Sequence, residues 1–316
     1  MDTKHTDWQP DLLGEGFEAA YVDQGTDHAG AVRCAVVRYR PQARHRAVLY
    51  VHGFSDYYFN GELARRFGAE GYDFYAVDLR RYGRALLPGQ MPFAMRSVSE
   101  YFADIDAAIA LIRGGGAEEI VLLGHSTGGL TTSCYMNGRP DPAVRALVLN
   151  SPFLTWNLPC LLRAVAVPAV CLLARLGVDL RLQADRTDRY ARTIRRGLGG
   201  EWDYRTEWKP DVMPPVNSRW IAAVQGAMRS LRRSDIKVPV LMLHSDRTAR
   251  ASSSLEEAMR ADAVLDARAI SIAALGLGSD VTVTAVPGGL HDLALSAPAV
   301  RADYYLRLFA WLNSRL

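Results

Sequence analysis

Ile120-Val121-Leu122-Leu123-Gly124-His125-Ser126-Thr127-Gly128-Gly129-Leu130 joins a short, wholly apolar run to a helical pattern, and the junction is a glycine-flanked serine. The run is too short for a buried helix and has no polar alternation, so it suits a central strand buried on both faces. Similar runs stand on either side. Residues 47–51 end at His52-Gly53, residues 72–77 end at Asp78, and residues 146–149 end at Asn150. Residues 31–38 form another plausible strand. Between these lie helical patterns at 61–70, 97–113 and 127–137. Strand and helix in alternation predict the α/β class, a mostly parallel central sheet flanked by helices. In that architecture ligands bind beyond the carboxyl ends of the strands.

The rhythm breaks after residue 150. Residues 151–236 carry helical stretches, loops, many arginines and Trp156, Trp202, Trp208 and Trp220, with no strong strand. The strand pattern returns at 238–244 and 281–286, and an amphipathic helix spans 300–312. The expectation is one core, residues 1–150 and 237–316, with a helical cap inserted at 151–236.

Composition narrows the function. The chain has 316 residues, 49% of them hydrophobic, enough for a large core. A net charge of +3 gives no reason to expect a nucleic-acid partner. Lysines are confined to Lys4, Lys209 and Lys237. Cys34, Cys134, Cys160 and Cys171 show no metal-ligand spacing, so free thiols and a cytoplasmic location are expected. The polar start, residues 1–11, shows no apolar leader core. The apolar run at 158–178 is interrupted by Arg163 and Arg175, well short of the roughly 20 residues a membrane span needs. With Pro159 and Pro168 breaking it, it reads as short apolar helices, buried or facing a pocket. Membrane contact is expected to be peripheral at most, and a homodimer is allowed.

The chemistry gathers at two turns. Gly124-His125-Ser126-Thr127-Gly128 fits G-x-S-x-G, set between strand and helix. Such a sharp turn exposes a serine hydroxyl, and its glycines permit the close backbone approach. The second turn is Pro287-Gly288-Gly289-Leu290-His291-Asp292, after the strand at 281–286. Histidine suits a general base because its pKa lies near working pH. The other histidines, His5, His28, His45, His52, His125 and His244, read as structural.

On these residues the chain resembles the α/β-hydrolase superfamily, and within it the branch of monoacylglycerol lipases, lysophospholipases and serine aminopeptidase-like enzymes. The resemblance covers about 30–150 and 238–316. It implies Ser126 as nucleophile and His291 as base. It also implies an oxyanion hole from the backbone N–H groups of Phe54, in the His52-Gly53-Phe54 turn, and of Thr127. Tyr57 and Tyr58 follow where they could bond substrate. Asp78-Leu79-Arg80-Arg81-Tyr82-Gly83 is similar to the family's D-x-R-G-H-G turn but departs from it at Arg81 and Tyr82. For the acid two aspartates compete. Asp246 directly follows the strand at 238–244. Asp262 lies 29 residues before His291, about the length of the family's acid loop, helix, strand and base loop. Asp262 is preferred, with 246–261 as an insertion and Asp266 capping the next helix.

The implied activity is hydrolysis of a lipophilic carboxylic ester, a monoacylglycerol, lysophospholipid or lactone, through an acyl-enzyme on Ser126. No cofactor and no metal is expected. A peptidase or carbon–carbon hydrolase on the same triad, and a non-enzymatic ligand-binding homologue, are the alternatives. An acidic cap residue meeting a substrate amine, from Glu201, Asp203 or Glu207, would mark a peptidase.

Overall fold

The computed structural model describes residues 7–40, 43–183 and 186–316. His5 and the start of the polar N-terminal stretch lie outside the described residues. A nine-stranded sheet forms the centre. Its strands are β1 (Gln9–Pro10), β2 (Phe17–Asp27), β3 (Gly30–Tyr39), β4 (Arg46–Val51), β5 (Tyr72–Asp78), β6 (Glu119–His125) and β7 (Val144–Asn150). Strands β8 (Arg181–Leu182) and β9 (Val216–Asn217) pair apart from it, and β10 (Val240–Ser245) and β11 (Val281–Val286) complete it. The order is β1-β2-β3-β5-β4-β6-β7-β10-β11. From β5 to β11 all neighbours are parallel, and β1, β2 and β3 add an antiparallel edge.

The helices are α1 (Gly61–Ala69), α2 (Phe102–Gly114), α3 (Thr127–Gly138), α4 (Cys160–Arg175), α5 (Arg189–Ile194), α6 (Ser218–Ser230), α7 (Leu255–Ala258), α8 (Ala267–Ala274) and α9 (Pro298–Arg315). Alternate residues of a strand face opposite sides of a sheet, and both sides are covered here. On one, Val48 and Tyr50 join Phe67 of α1 and Tyr304 and Leu308 of α9. On the other, Leu49 and Val51 join Ile105 and Ile112 of α2 and Leu130 of α3. That double covering is why the strands read as unbroken apolar runs.

Two features depart from the sequence reading. Strands β1 and β2 were not foreseen, because β2 alternates buried and exposed residues and ends in a polar stretch. The run at 158–178 forms one helix rather than several. Pro168 sits inside α4, and only Val167 and Cys171 are buried. Proline removes one hydrogen bond and can kink a helix without ending it. Leu161, Val165, Leu172 and Leu176 face outward, Leu161 with 76% exposure, so the expectation of burial fails for most of this helix. It packs along α6. Among the described residues no helix is long and apolar enough to cross a membrane.

Candidate active site

Strand β6 ends at His125 and α3 begins at Thr127, and Ser126 between them stands at φ 53° and ψ −120°. Few non-glycine residues adopt such a backbone, and it persists only where the surroundings enforce it. The glycines make the turn possible by their size. A Cβ on Gly124 would lie 2.4 Å from Thr132 Oγ1, and one on Gly128 would lie 2.3 Å from the carbonyl oxygens of both Val51 and His52. Helix α3 is thereby pressed against the ends of β4 and β6. A Cβ on Gly53 would stand 3.0 Å from Ser126 Cβ, so the His52-Gly53-Phe54 turn abuts the serine.

His291 reaches Ser126 from the loop after β11. Its Nε2 is 3.0 Å from Ser126 Oγ, and its Nδ1 is 2.9 Å from Asp262 Oδ2. Asp262 Oδ1 accepts the N–H groups of Val264 at 2.8 Å and Leu265 at 2.7 Å, which fixes the carboxylate with Oδ2 toward the imidazole. A carboxylate facing Nδ1 makes that nitrogen the protonated one and leaves the Nε2 lone pair for the serine hydroxyl. All three residues are buried, and Ser126 keeps 8% exposure. Asp246, the competing acid, accepts instead from the Arg247 guanidinium and from Gly288 N–H. Residues 246–261 hold α7, and the Asp266 side chain caps α8 by accepting Ala269 N–H.

The His291 loop is tied to the end of β7. Asn150 Nδ2 donates to Asp292 Oδ1 at 2.7 Å, and Asn150 Oδ1 accepts Leu293 N–H at 3.2 Å. His125 lies beside His291, ring centroids 4.9 Å apart, with its Nδ1 3.1 Å from the Asn150 carbonyl. Burial lowers the His125 pKa, with Asp292 pulling the other way. His52 is structural, as expected: its Nε2 accepts Leu79 N–H at 3.1 Å, and its Nδ1 lies 2.8 Å from the Gly53 carbonyl.

Thr127 opens α3, so its N–H has no carbonyl partner within the helix. The Phe54 ring packs on Phe93 at 5.3 Å and Trp220 at 4.8 Å, and Trp156 lies 6.4 Å from Trp220. Tyr57 and Tyr58 are buried, not free to meet a ligand: the Tyr58 hydroxyl donates to the Asn60 carbonyl, and the Tyr57 hydroxyl accepts Arg205 N–H. Asp78 holds its turn together, accepting the N–H groups of Tyr58 and Arg84 and the Arg84 guanidinium.

Three neighbours of the site escaped the sequence reading. Lys209 forms a buried ion pair with Asp56 at 2.9 Å. Tyr190 stands edge-on to His291 at 5.8 Å. The one signal for Lys209 was its isolation in an arginine-rich stretch. Nothing local marks Asp56 or Tyr190, because only the fold brings them near residues so distant in the chain.

A family model described as serine aminopeptidase, S33, matches residues 42–296. Among solved structures, the monoacylglycerol lipase of Paleococcus ferrophilus is similar, with 22% identity and a TM-score of 0.64 over 95% of this chain and 99% of that one. A soluble variant of monoglyceride lipase from Saccharomyces cerevisiae, in complex with a substrate analogue, has 17% identity and a TM-score of 0.65 over 98% and 95%. DcsB, in complex with its substrate analogue, has 15% identity and a TM-score of 0.64 over 98% and 100%. These likenesses carry the fold. With the match to the family model, the conclusion is that this chain is an α/β-hydrolase and belongs to the serine aminopeptidase S33 family.

Proposed function

We propose that the protein is a serine esterase acting on a lipophilic carboxylic ester, such as a monoacylglycerol, lysophospholipid or lactone. The relay of Asp262, His291 and Ser126 at 2.9 and 3.0 Å is the observation that carries this reading. His291 takes the hydroxyl proton as Ser126 attacks the ester carbonyl. The Phe54 and Thr127 N–H groups hold the oxyanion, each donor being worth about 3 kcal/mol in such sites. His291 then protonates the leaving alcohol and activates the water that frees the acid.

The lipophilic preference rests on the lipases of like fold and on the aromatic cluster that Phe54, in the turn that abuts the serine, forms with Phe93, Trp220 and Trp156. The 151–236 segment is read as a cap that supplies Trp156 and Trp220 to this cluster. A peptidase reading lacks its amine anchor among the residues considered for it. Glu201 and Asp203 are engaged by Arg301 and Arg196 at the surface, and Glu207 is exposed. Four unpaired thiols support a cytoplasmic setting.

The test is hydrolysis of a chain-length series of acyl esters by wild type and Ser126→Ala. Activity on the longer chains, falling by about 10⁴ or more in the variant, is the expected result. Equal rates in the two proteins would refute the assignment.

A further inference from the structure

The loop that carries the Phe54 N–H is strained and is held from two sides. Ser55 stands at φ 53°, a conformation that survives only when neighbouring contacts over-determine it. The core holds the two ends of the loop, through Leu79 N–H on His52 Nε2 and Tyr58 N–H on Asp78 Oδ1. The middle is held by the 151–236 segment. Lys209 Nζ donates to Asp56 Oδ1 at 2.9 Å, Arg205 N–H donates to the Tyr57 hydroxyl at 2.8 Å, and Trp208 packs edge-on against Tyr57 at 5.1 Å.

Lys209 is 6% exposed, and its ammonium lies 5.6–5.7 Å from the ring centres of Phe59, Tyr190 and Tyr204. Tyr190 in turn borders His291. A buried ion pair is a poor source of stability, since apolar replacements of like volume are often as good or better. What it does supply is one defined geometry. The ammonium is a compact point charge on a flexible stem, and this is where an arginine-rich segment carries lysine.

We infer that Lys209 is a positioning residue for the oxyanion hole: by holding Asp56 it fixes the loop that presents the Phe54 N–H, so the hole is aligned only when the 151–236 segment is seated on the core. The inference rests on the serine-hydrolase reading above. It assigns Lys209 no contact with substrate and predicts an effect on the reacting state, not on substrate capture.

The experiment measures the rate at which a fluorophosphonate labels Ser126, and the affinity for a trifluoromethyl ketone, in wild type, Lys209→Met, the double variant Lys209→Met/Asp56→Asn, and Tyr57→Phe. Both probes place a negative oxygen in the hole. The double variant removes both charges at similar volume, so its thermal midpoint is expected within a few degrees of wild type. Its labelling is expected to slow about 10–100-fold, the scale of a misplaced catalytic group, and its ketone affinity to weaken by a like factor. Tyr57→Phe, which loses the second tie, is expected to slow labelling about 3–10-fold, a fraction of the loss from removing a donor outright. On the preferred ester, kcat is expected to fall while KM changes less than about threefold. Wild-type labelling rates in the double variant would overturn the inference, whatever Tyr57→Phe does, as would a raised KM with unchanged kcat. A wild type that does not label would overturn the hydrolase reading and this inference together. A wild type that labels yet cleaves no ester would overturn only the substrate class, and the labelling rates would still decide the role of Lys209.

Discussion

At the scale of single residues, the choice between two aspartates is the sharpest test. Asp262 faces His291 Nδ1, whereas Asp246 is occupied by Arg247 and Gly288. Asp262→Asn is expected to lower kcat by about 10⁴, because an amide there favours the wrong tautomer of the imidazole. Asp246→Asn is expected to stay within about threefold of wild type, the scale of a surface substitution. Steady-state ester hydrolysis by the two variants checks both, and a reversal of the two results would move the acid to Asp246. Ser126 and His291 were legible in the chain because each sits in glycine-rich flanks beside an apolar strand. Asp262 was legible only as a distance from His291, since no strand end announces it. Lys209 and Asp56 carried no such mark: their meeting is a property of the folded loop, not of either segment.

At the scale of elements, close packing decides more than conformational preference. Gly128 lets α3 approach the end of β4, and a Cβ there meets two carbonyl oxygens at 2.3 Å. Backbone cannot step aside as a flexible side chain can, so Gly128→Ala is expected to cost about 3 kcal/mol or more, at or beyond the upper end for overpacking. Gly226 lies within α6 with nothing within 4 Å of its added Cβ, and Gly226→Ala is expected to stabilise by about 0.5–1 kcal/mol through helix propensity. Urea unfolding of the two variants checks the contrast. Similar shifts in both would show that packing at Gly128 is looser than described. The central parallel strands were readable because burial on both faces leaves a mainly apolar run, whereas β11, at the edge, alternates valine and threonine. Strands β1 and β2 were not, because an edge strand with one wet face and a polar end looks like loop.

At the scale of the whole molecule, stability is tied to pH through buried imidazoles. Burial lowers the pKa of both His125 and His244. The unfolded chain, with histidines near about 6.5, therefore binds protons that the folded chain refuses. Their contribution to stability is complete above about pH 6.5 and is lost as pH falls below it. The urea midpoint of wild type is expected to drop between pH 7.5 and 5.5, and His125→Asn is expected to drop less over the same interval. Equal declines would mean that His125 keeps its ordinary affinity for protons.

The proposed nucleophile and base are far apart along the chain, and this has a consequence in time. Ser126 and His291 are separated by 165 residues. A ribosome adding about 5–20 residues per second makes the histidine roughly 8–33 s after the serine. Throughout that interval the serine has no base, even once Asp262 has been made, so on the proposed mechanism the nascent chain is chemically silent toward the lipids and proteins around it. Reactivity is postponed by the order of synthesis itself, with no pro-segment or inhibitor needed to restrain a half-made enzyme.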